Sequence, residues 1–153
     1  MSVDTKIIER VITIAAAPET VFAFLTDPEQ YVRWKGRLAE LDPRPGGVFR
    51  VEFVSEKDIV AGRFVEVVPP RRVVFTWGWE GSDFVPPGTS TVEIDLEPAA
   101  GGTRLRLVHR GLPEAAMTSH VEGWDHFLPR LADVAEGREP PTEIDHHTDA
   151  RTQ

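Results

Sequence analysis

The sequence predicts an α+β domain in which a curved antiparallel sheet of six or seven strands wraps around one long C-terminal helix. Three observations predict it. Six segments alternate at period two or are apolar on both faces, as strands do. A single long segment, Pro113–Glu136, carries its large apolar residues at helical spacing. Between the first strand and the rest lie two Pro-initiated helical segments, each too short to stand alone.

Lys6–Ile14 opens the chain as a strand, with Ile8, Ile12 and Ile14 on one face and Arg10 interrupting it. Ala17-Pro18-Glu19 starts a helix, because Pro is tolerated in a first turn where its missing N–H has no helical partner. Val21, Phe22, Phe24 and Leu25 give that helix its apolar side. Asp27-Pro28-Glu29 repeats the signal for a second helix carrying Tyr31, Val32 and Trp34. Strands follow. Val48–Val54 sets Phe49, Val51 and Phe53 on one face. Ile59–Val68 is apolar on both, with Gly62 marking a bulge or bend. Pro69–Arg72 is a turn, and Val73, Phe75, Trp77 and Trp79 share a face of the next strand. Gly81–Gly88 reads as a Pro- and Gly-rich loop.

Thr91–Leu96 and Thr103–His109 form a hairpin around Gly101-Gly102, with Val92, Ile94, Leu96, Leu105 and Leu107 inward. Pairing 94 with 105 sets Glu93 opposite Arg106, Asp95 opposite Arg104 and Ser90 opposite His109; opposite charges facing across strands contribute about 0.2–1 kcal/mol per pair. In the long helix Met117, Val121, Trp124, Leu128 and Leu131 share a face. Pro129 should bend it and Gly137 ends it. One domain over 1–137 and a mobile tail over 138–153 complete the reading.

Composition removes whole classes of function. The 153 residues carry 17 Lys+Arg against 25 Asp+Glu, a formal charge of −8, so no basic face invites nucleic acid. The absence of cysteine excludes disulfides, thiolate metal sites and a Cys nucleophile. Neither a membrane span nor the apolar centre of a signal peptide is present, which points to a cytoplasmic protein.

The segments PETVFAFLTDPEQYVRW, LDPRPGGVFRVEF, GRFVEVVPPRRVVFTWGW and HVEGWDHFLPRLADVAEG resemble the START-like (SRPBCC) helix-grip superfamily. More narrowly they resemble the branch named after the C-terminal domain of the activator of heat-shock-chaperone ATPase. The resemblance spans about residues 6–137. It implies a β-α-α-β-sheet-α fold enclosing a cavity between sheet and long helix. It also implies a choice among small-ligand binding, cyclase-like activity and chaperone regulation.

The residues narrow that choice. Asp145, His146, His147 and Asp149 stand in a tail with no rigid frame. His120, Glu122, Asp125 and His126 read as a solvated helix face, and no metal is expected. No G-x-S-x-G elbow surrounds a serine, and Ser90 with His109 reads as a hydrogen bond closing a strand end. The glycine pairs lack a strand-to-helix context for phosphate, so no cofactor is expected.

Phe49, Phe53, Phe75, Trp77, Trp79, His109, Met117 and Trp124 all fall on inward faces and form the predicted ligand-binding cavity, with Thr76 and Arg63 less well placed. The expected partner is a small apolar or aromatic molecule. The alternatives are a cyclase- or hydrolase-like enzyme using His109 as general acid or base, and a chaperone-ATPase-regulating module. Phe84 and Val85 on the Pro-rich loop either cover the cavity mouth or pack against a second copy in a homodimer, and Leu41–Gly47 is the other stretch of rim.

Overall fold

Residues 7–53 and 58–139 are described by a computed structural model of the protein. Strand β1 (Ile7–Ile14) leads to helices α1 (Pro18–Thr26) and α2 (Pro28–Tyr31). Strands β2 (Leu38–Leu41), β3 (Val48–Glu52), β4 (Ile59–Val68), β5 (Arg72–Trp79), β6 (Ser90–Ala99) and β7 (Gly102–Arg110) follow, and α3 (Met117–Ala135) closes the fold after a single 3-10 turn at Glu114–Ala116. The seven strands pair antiparallel in the order β1-β7-β6-β5-β4-β3-β2. The tail carrying Asp145, His146, His147 and Asp149 lies outside the described residues. Among the described residues no helix is long and apolar enough to cross a membrane.

Packing of α3 onto the sheet explains two local features. Arg10 interrupts the inward row of β1 because it reaches Asp125 of α3, with Nε–Oδ1 at 2.7 Å and Nη2–Oδ2 at 3.2 Å. Asp125 is therefore tied to the edge strand, although its helix position reads as solvated. At the far end of α3, Glu136 accepts the Ala15 N–H at 2.8 Å, fixing the start of α1 against the helix terminus.

Three expectations need correction. The β6–β7 register is displaced by two residues: Ile94 pairs with Leu107, and the hairpin turns at Ala100-Gly101, where Gly101 holds φ +80° and Gly102 already belongs to β7. An even displacement keeps every side chain on its face, so the core is unchanged while the charge partners are not. Glu93 pairs with Arg110 at 3.2 Å and Asp95 with Arg72 at 2.9 Å, whereas Arg106 takes Glu9 at 2.7 Å and Arg104 takes Glu97 at 3.4 Å. Second, Leu38–Leu41 is an edge strand that is too short to show a period in the sequence. Third, the register of β4 against β5 shifts between Phe64 and Glu66 rather than at Gly62.

At Gly62 the constraint is proximity. A Cβ there would lie 1.9 Å from the Thr76 carbonyl oxygen, and Thr76 Oγ1 takes the neighbouring Arg63 N–H at 2.9 Å. Thr76 thus supports the sheet and Arg63 points to solvent.

Deep in the core Phe49 stacks on Phe75 with ring centroids 4.1 Å apart, and Phe64 meets both edge-on at 5.7 and 6.0 Å. Gly62→Ala is expected to destabilise the fold by about 2 kcal/mol or more in urea unfolding, since the added methyl runs into the Thr76 carbonyl and hydroxyl. A loss below about 0.5 kcal/mol would show that β4 and β5 separate freely there.

Candidate functional site

Helix α2 is followed by a helical turn in which Trp34 and Lys35 both return their N–H groups to the Tyr31 carbonyl at 3.1 Å. Trp34 is held from two sides. Its indole donates to the Phe24 carbonyl at 2.9 Å, and its own carbonyl accepts from Arg130 Nε of α3 at 3.2 Å. Gly36 then reverses the chain at φ +83°, where a Cβ would stand 2.6 Å from Val51 Cγ1. This geometry aims the next side chain into the protein. Lys35 is only 3% exposed, although lysine is ordinarily among the residues least often buried.

Its ammonium position is bounded by ring faces. Nζ lies 4.1 Å from the Trp124 centroid and 4.2 Å from that of Trp77, with Phe127, Phe53 and Trp34 at 5.6–5.7 Å. Among the described residues Nζ makes no hydrogen bond and no ion pair. Two desolvated cation–π contacts return about 2 kcal/mol each, whereas removing an ammonium from water costs several kcal/mol and leaves its donors unpaired. Desolvation wins: burial holds the Lys35 pKa well below the ordinary lysine value.

Around this amine three indoles alternate with two imidazoles. Trp124 Nε1 donates to His109 Nδ1 at 3.0 Å, which leaves the ring proton on Nε2. That nitrogen donates to Ser90 Oγ at 2.8 Å, and the hydroxyl donates onward to the Trp77 carbonyl at 3.0 Å. Trp79 Nε1 donates to His120 Nε2 at 3.2 Å, while His120 Nδ1 donates to the Ala116 carbonyl at 2.8 Å. Both histidines are therefore neutral with fixed tautomers. Burial, then the nearby His120 and Lys35, pushes His109 down to about 2; burial likewise lowers His120, against the Ala116 hydrogen bond. The third indole has no such partner. Trp77 Nε1 is buried and is the one buried side-chain nitrogen or oxygen without a hydrogen-bond partner among the described residues.

The predicted inward residues divide into two groups. Phe49 and Phe75 belong to the stacked core described above. Trp77, Trp124 and His109 surround Lys35, with Phe53 and Trp79 in edge-to-face contact at 5.3 Å forming a half-buried outer wall. Met117, in the first turn of α3, is partly buried against the core. Ser90 and His109 do meet, but diagonally, since His109 stands opposite Val92. Val85 is buried, its carbonyl accepting from Trp79 N at 2.6 Å, while Phe84 beside it is 57% exposed.

Two residues of the cluster are absent from the sequence-based set. In sequence His120 reads as part of a solvated face, but it is buried; its spacing from Met117 (i+3) and Trp124 (i−4) puts it on their stripe. Lys35 follows no apolar period at all. Its one sequence signal is compositional, for the chain uses 14 Arg and only three Lys, and Lys35 stands between Trp34 and Gly36. Among the described residues no group of three or more His, Asp or Glu is arranged to hold a metal.

A buried amine without an acceptor lowers stability, and the pH at which it does so follows from the sign of its shift. Below about pH 10.4 the unfolded chain binds a proton at Lys35 that the folded chain resists, so this contribution to stability rises with pH through that window. His109 and His120 are the titratable groups electrostatically coupled to it, and Arg130 faces the adjoining Trp34 carbonyl. Lys35→Met is therefore expected to stabilise the protein by about 1 kcal/mol or more at pH 7, with the gain shrinking toward pH 10. Urea unfolding at the two pH values checks it; a variant less stable at both would show that the amine contributes favourably where it lies.

Comparison with known proteins agrees with this architecture. The profile of the family described as "Activator of Hsp90 ATPase homolog 1-like protein" matches residues 15–136. An AHSA1-like protein from Rhizobium etli, solved by NMR, is 48% identical over 90% of this chain and 86% of its own, with a TM-score of 0.71. DynU16, a protein of the dynemicin biosynthetic locus, is 25% identical over 87% of this chain and 48% of its own, with a TM-score of 0.74. The Aha1 dimer from Colwellia psychrerythraea shares the fold at 20% identity, covering 88% of this chain and 98% of its own, with a TM-score of 0.74. No curated protein matches the sequence significantly. With its seven-stranded sheet around α3, the chain belongs to the Activator of Hsp90 ATPase homolog 1-like family of START-like helix-grip proteins.

Proposed function

We propose that this protein binds a small, flat, largely apolar molecule that carries an oxygen acceptor, in the interior between β5, β7, α3 and the turn bearing Lys35. The observation that carries the reading is the buried indole N–H of Trp77, which has no acceptor among the described residues, on a ring that the Lys35 amine overlies. An unsatisfied buried donor costs about 1–3 kcal/mol, a cost that a ligand oxygen removes on binding. Aromatic walls with a few convergent polar groups are the usual composition of a small-molecule site. We place the way in at Phe53 and Trp79, the partly exposed side of the cluster.

The arrangement favours binding over acid–base turnover by His109. Both of its ring nitrogens are already engaged, and its proton affinity is far below what a general base at neutral pH needs. That a structural relative belongs to the dynemicin biosynthetic locus fits an organic ligand.

Calorimetric titration with 2-naphthol and with naphthalene tests the reading. Both probes are expected to bind, 2-naphthol more tightly. Trp77→Phe, which keeps a ring and removes the N–H, should weaken 2-naphthol by about 5–10-fold and leave naphthalene within about twofold. Absence of saturable binding by either probe, or equal weakening of both, would contradict it.

A further inference from the structure

We propose that Lys35 is a carbonyl-reactive amine that condenses with an aldehyde or ketone ligand to form an imine inside the aromatic cluster. The inference rests on the binding reading above and names the ligand class more narrowly.

The geometry supplies what such a reaction needs. A lysine side chain becomes a nucleophile when it is desolvated and no carboxylate holds it as an ammonium. Lys35 is 3% exposed, Nζ lies against the faces of Trp77 and Trp124, and among the described residues it has no acidic partner. Among the described residues the titratable groups coupled to it are His109 and His120, both neutral and both engaged, while Arg130 is held on the adjoining Trp34 carbonyl. None of these described groups can form the ion pair that silences most lysines.

Trp77 Nε1 adds a second function. It is a buried N–H with no acceptor, on the same ring that Nζ overlies, so it can receive the oxygen of a carbonyl whose carbon faces the amine. The step balances within these groups. The Nζ lone pair forms the C–N bond while the carbonyl π pair moves to oxygen. One proton passes from nitrogen to that oxygen, giving a carbinolamine. The C–O bond then breaks, the second amine proton leaves with the oxygen as water, and the C=N bond forms. No oxidant or reductant is consumed. A carbonyl flanked by an aromatic or apolar body matches the chemistry of the surrounding rings.

The sequence makes the test unusually clean, because the only other lysines are Lys6 and Lys57. The full chain is incubated at pH 7 with 2-naphthaldehyde and cyanoborohydride, which converts any imine to a stable secondary amine, and adducts are mapped by peptide mass spectrometry. An ordinary lysine is below about 0.1% neutral at this pH, so Lys35 should be labelled at least about tenfold faster than Lys6 or Lys57. Unreactive 2-naphthol should slow that labelling. Lys35→Met and Lys35→Arg should abolish the adduct, and near-ultraviolet circular dichroism of the tryptophans checks that each variant keeps its folded interior.

Naphthalene and 2-naphthol binding without selective labelling of Lys35 would overturn the imine and leave the binding reading standing. Failure of every probe to bind would overturn both. Labelling spread evenly over the three lysines would likewise refute the proposal.

Discussion

One desolvated amine sets the terms for the interior of this protein. A lysine enclosed by five aromatic rings with no counter-charge among the described residues is a configuration that folding does not reach by hydrophobic burial alone; it has to be held. The Trp34 indole on the Phe24 carbonyl, Arg130 on the Trp34 carbonyl and the left-handed turn at Gly36 together hold it. Each contact comes from a different element, so α1, α3 and β3, which packs against Gly36, all contribute to placing one side chain. A residue that costs stability where it lies, yet is fixed this firmly, is the pattern expected of a functional group.

The surrounding polar groups obey the same electrostatic logic. A protonated imidazole beside a desolvated amine would add like-charge repulsion to the burial cost. Both histidines avoid this by accepting an indole hydrogen on one nitrogen and donating from the other. They then serve as neutral struts that orient Trp124 and Trp79. The result is an interior rich in donors and short of acceptors, electrostatically suited to an oxygen atom and hostile to a cation. On the outer faces the opposite holds. There the excess acidic residues meet arginines in exposed pairs such as Glu9–Arg106 and Glu80–Arg50, which individually contribute little.

How much of this could be read from the chain depends on what each residue's neighbours reveal. The strands β1, β3 to β7 and the helix α3 follow from apolar period, because period reports which face is buried. The β6–β7 register is a matter of turn geometry at Ala100-Gly101, and a two-residue displacement leaves no trace in the apolar pattern; only the charge partners differ. Edge strand β2 is four residues long and shows no alternation to recognise. In the site, Trp77, Trp124 and His109 lie on periodic faces and were legible. His120 lies on the same helical stripe as Trp124 but is polar, which masks its placement. Lys35 was illegible for a deeper reason. Its position depends on a non-repeating turn and on Arg130 nearly a hundred residues away, and on the statistics of lysine it belongs outside.

Central to the account is the claim that the unpaired Trp77 N–H is where a ligand oxygen arrives. The protein has four tryptophans, so its nitrogen–proton correlation spectrum contains four indole signals, of which those of Trp34, Trp79 and Trp124 already have internal acceptors. Titrating labelled protein with 2-naphthol is the most direct measurement. The account predicts that the indole proton assigned to Trp77, absent in Trp77→Phe, moves downfield to a hydrogen-bonded position while the Trp34 signal stays in place. A Trp77 signal that remains unmoved at saturating 2-naphthol would contradict it.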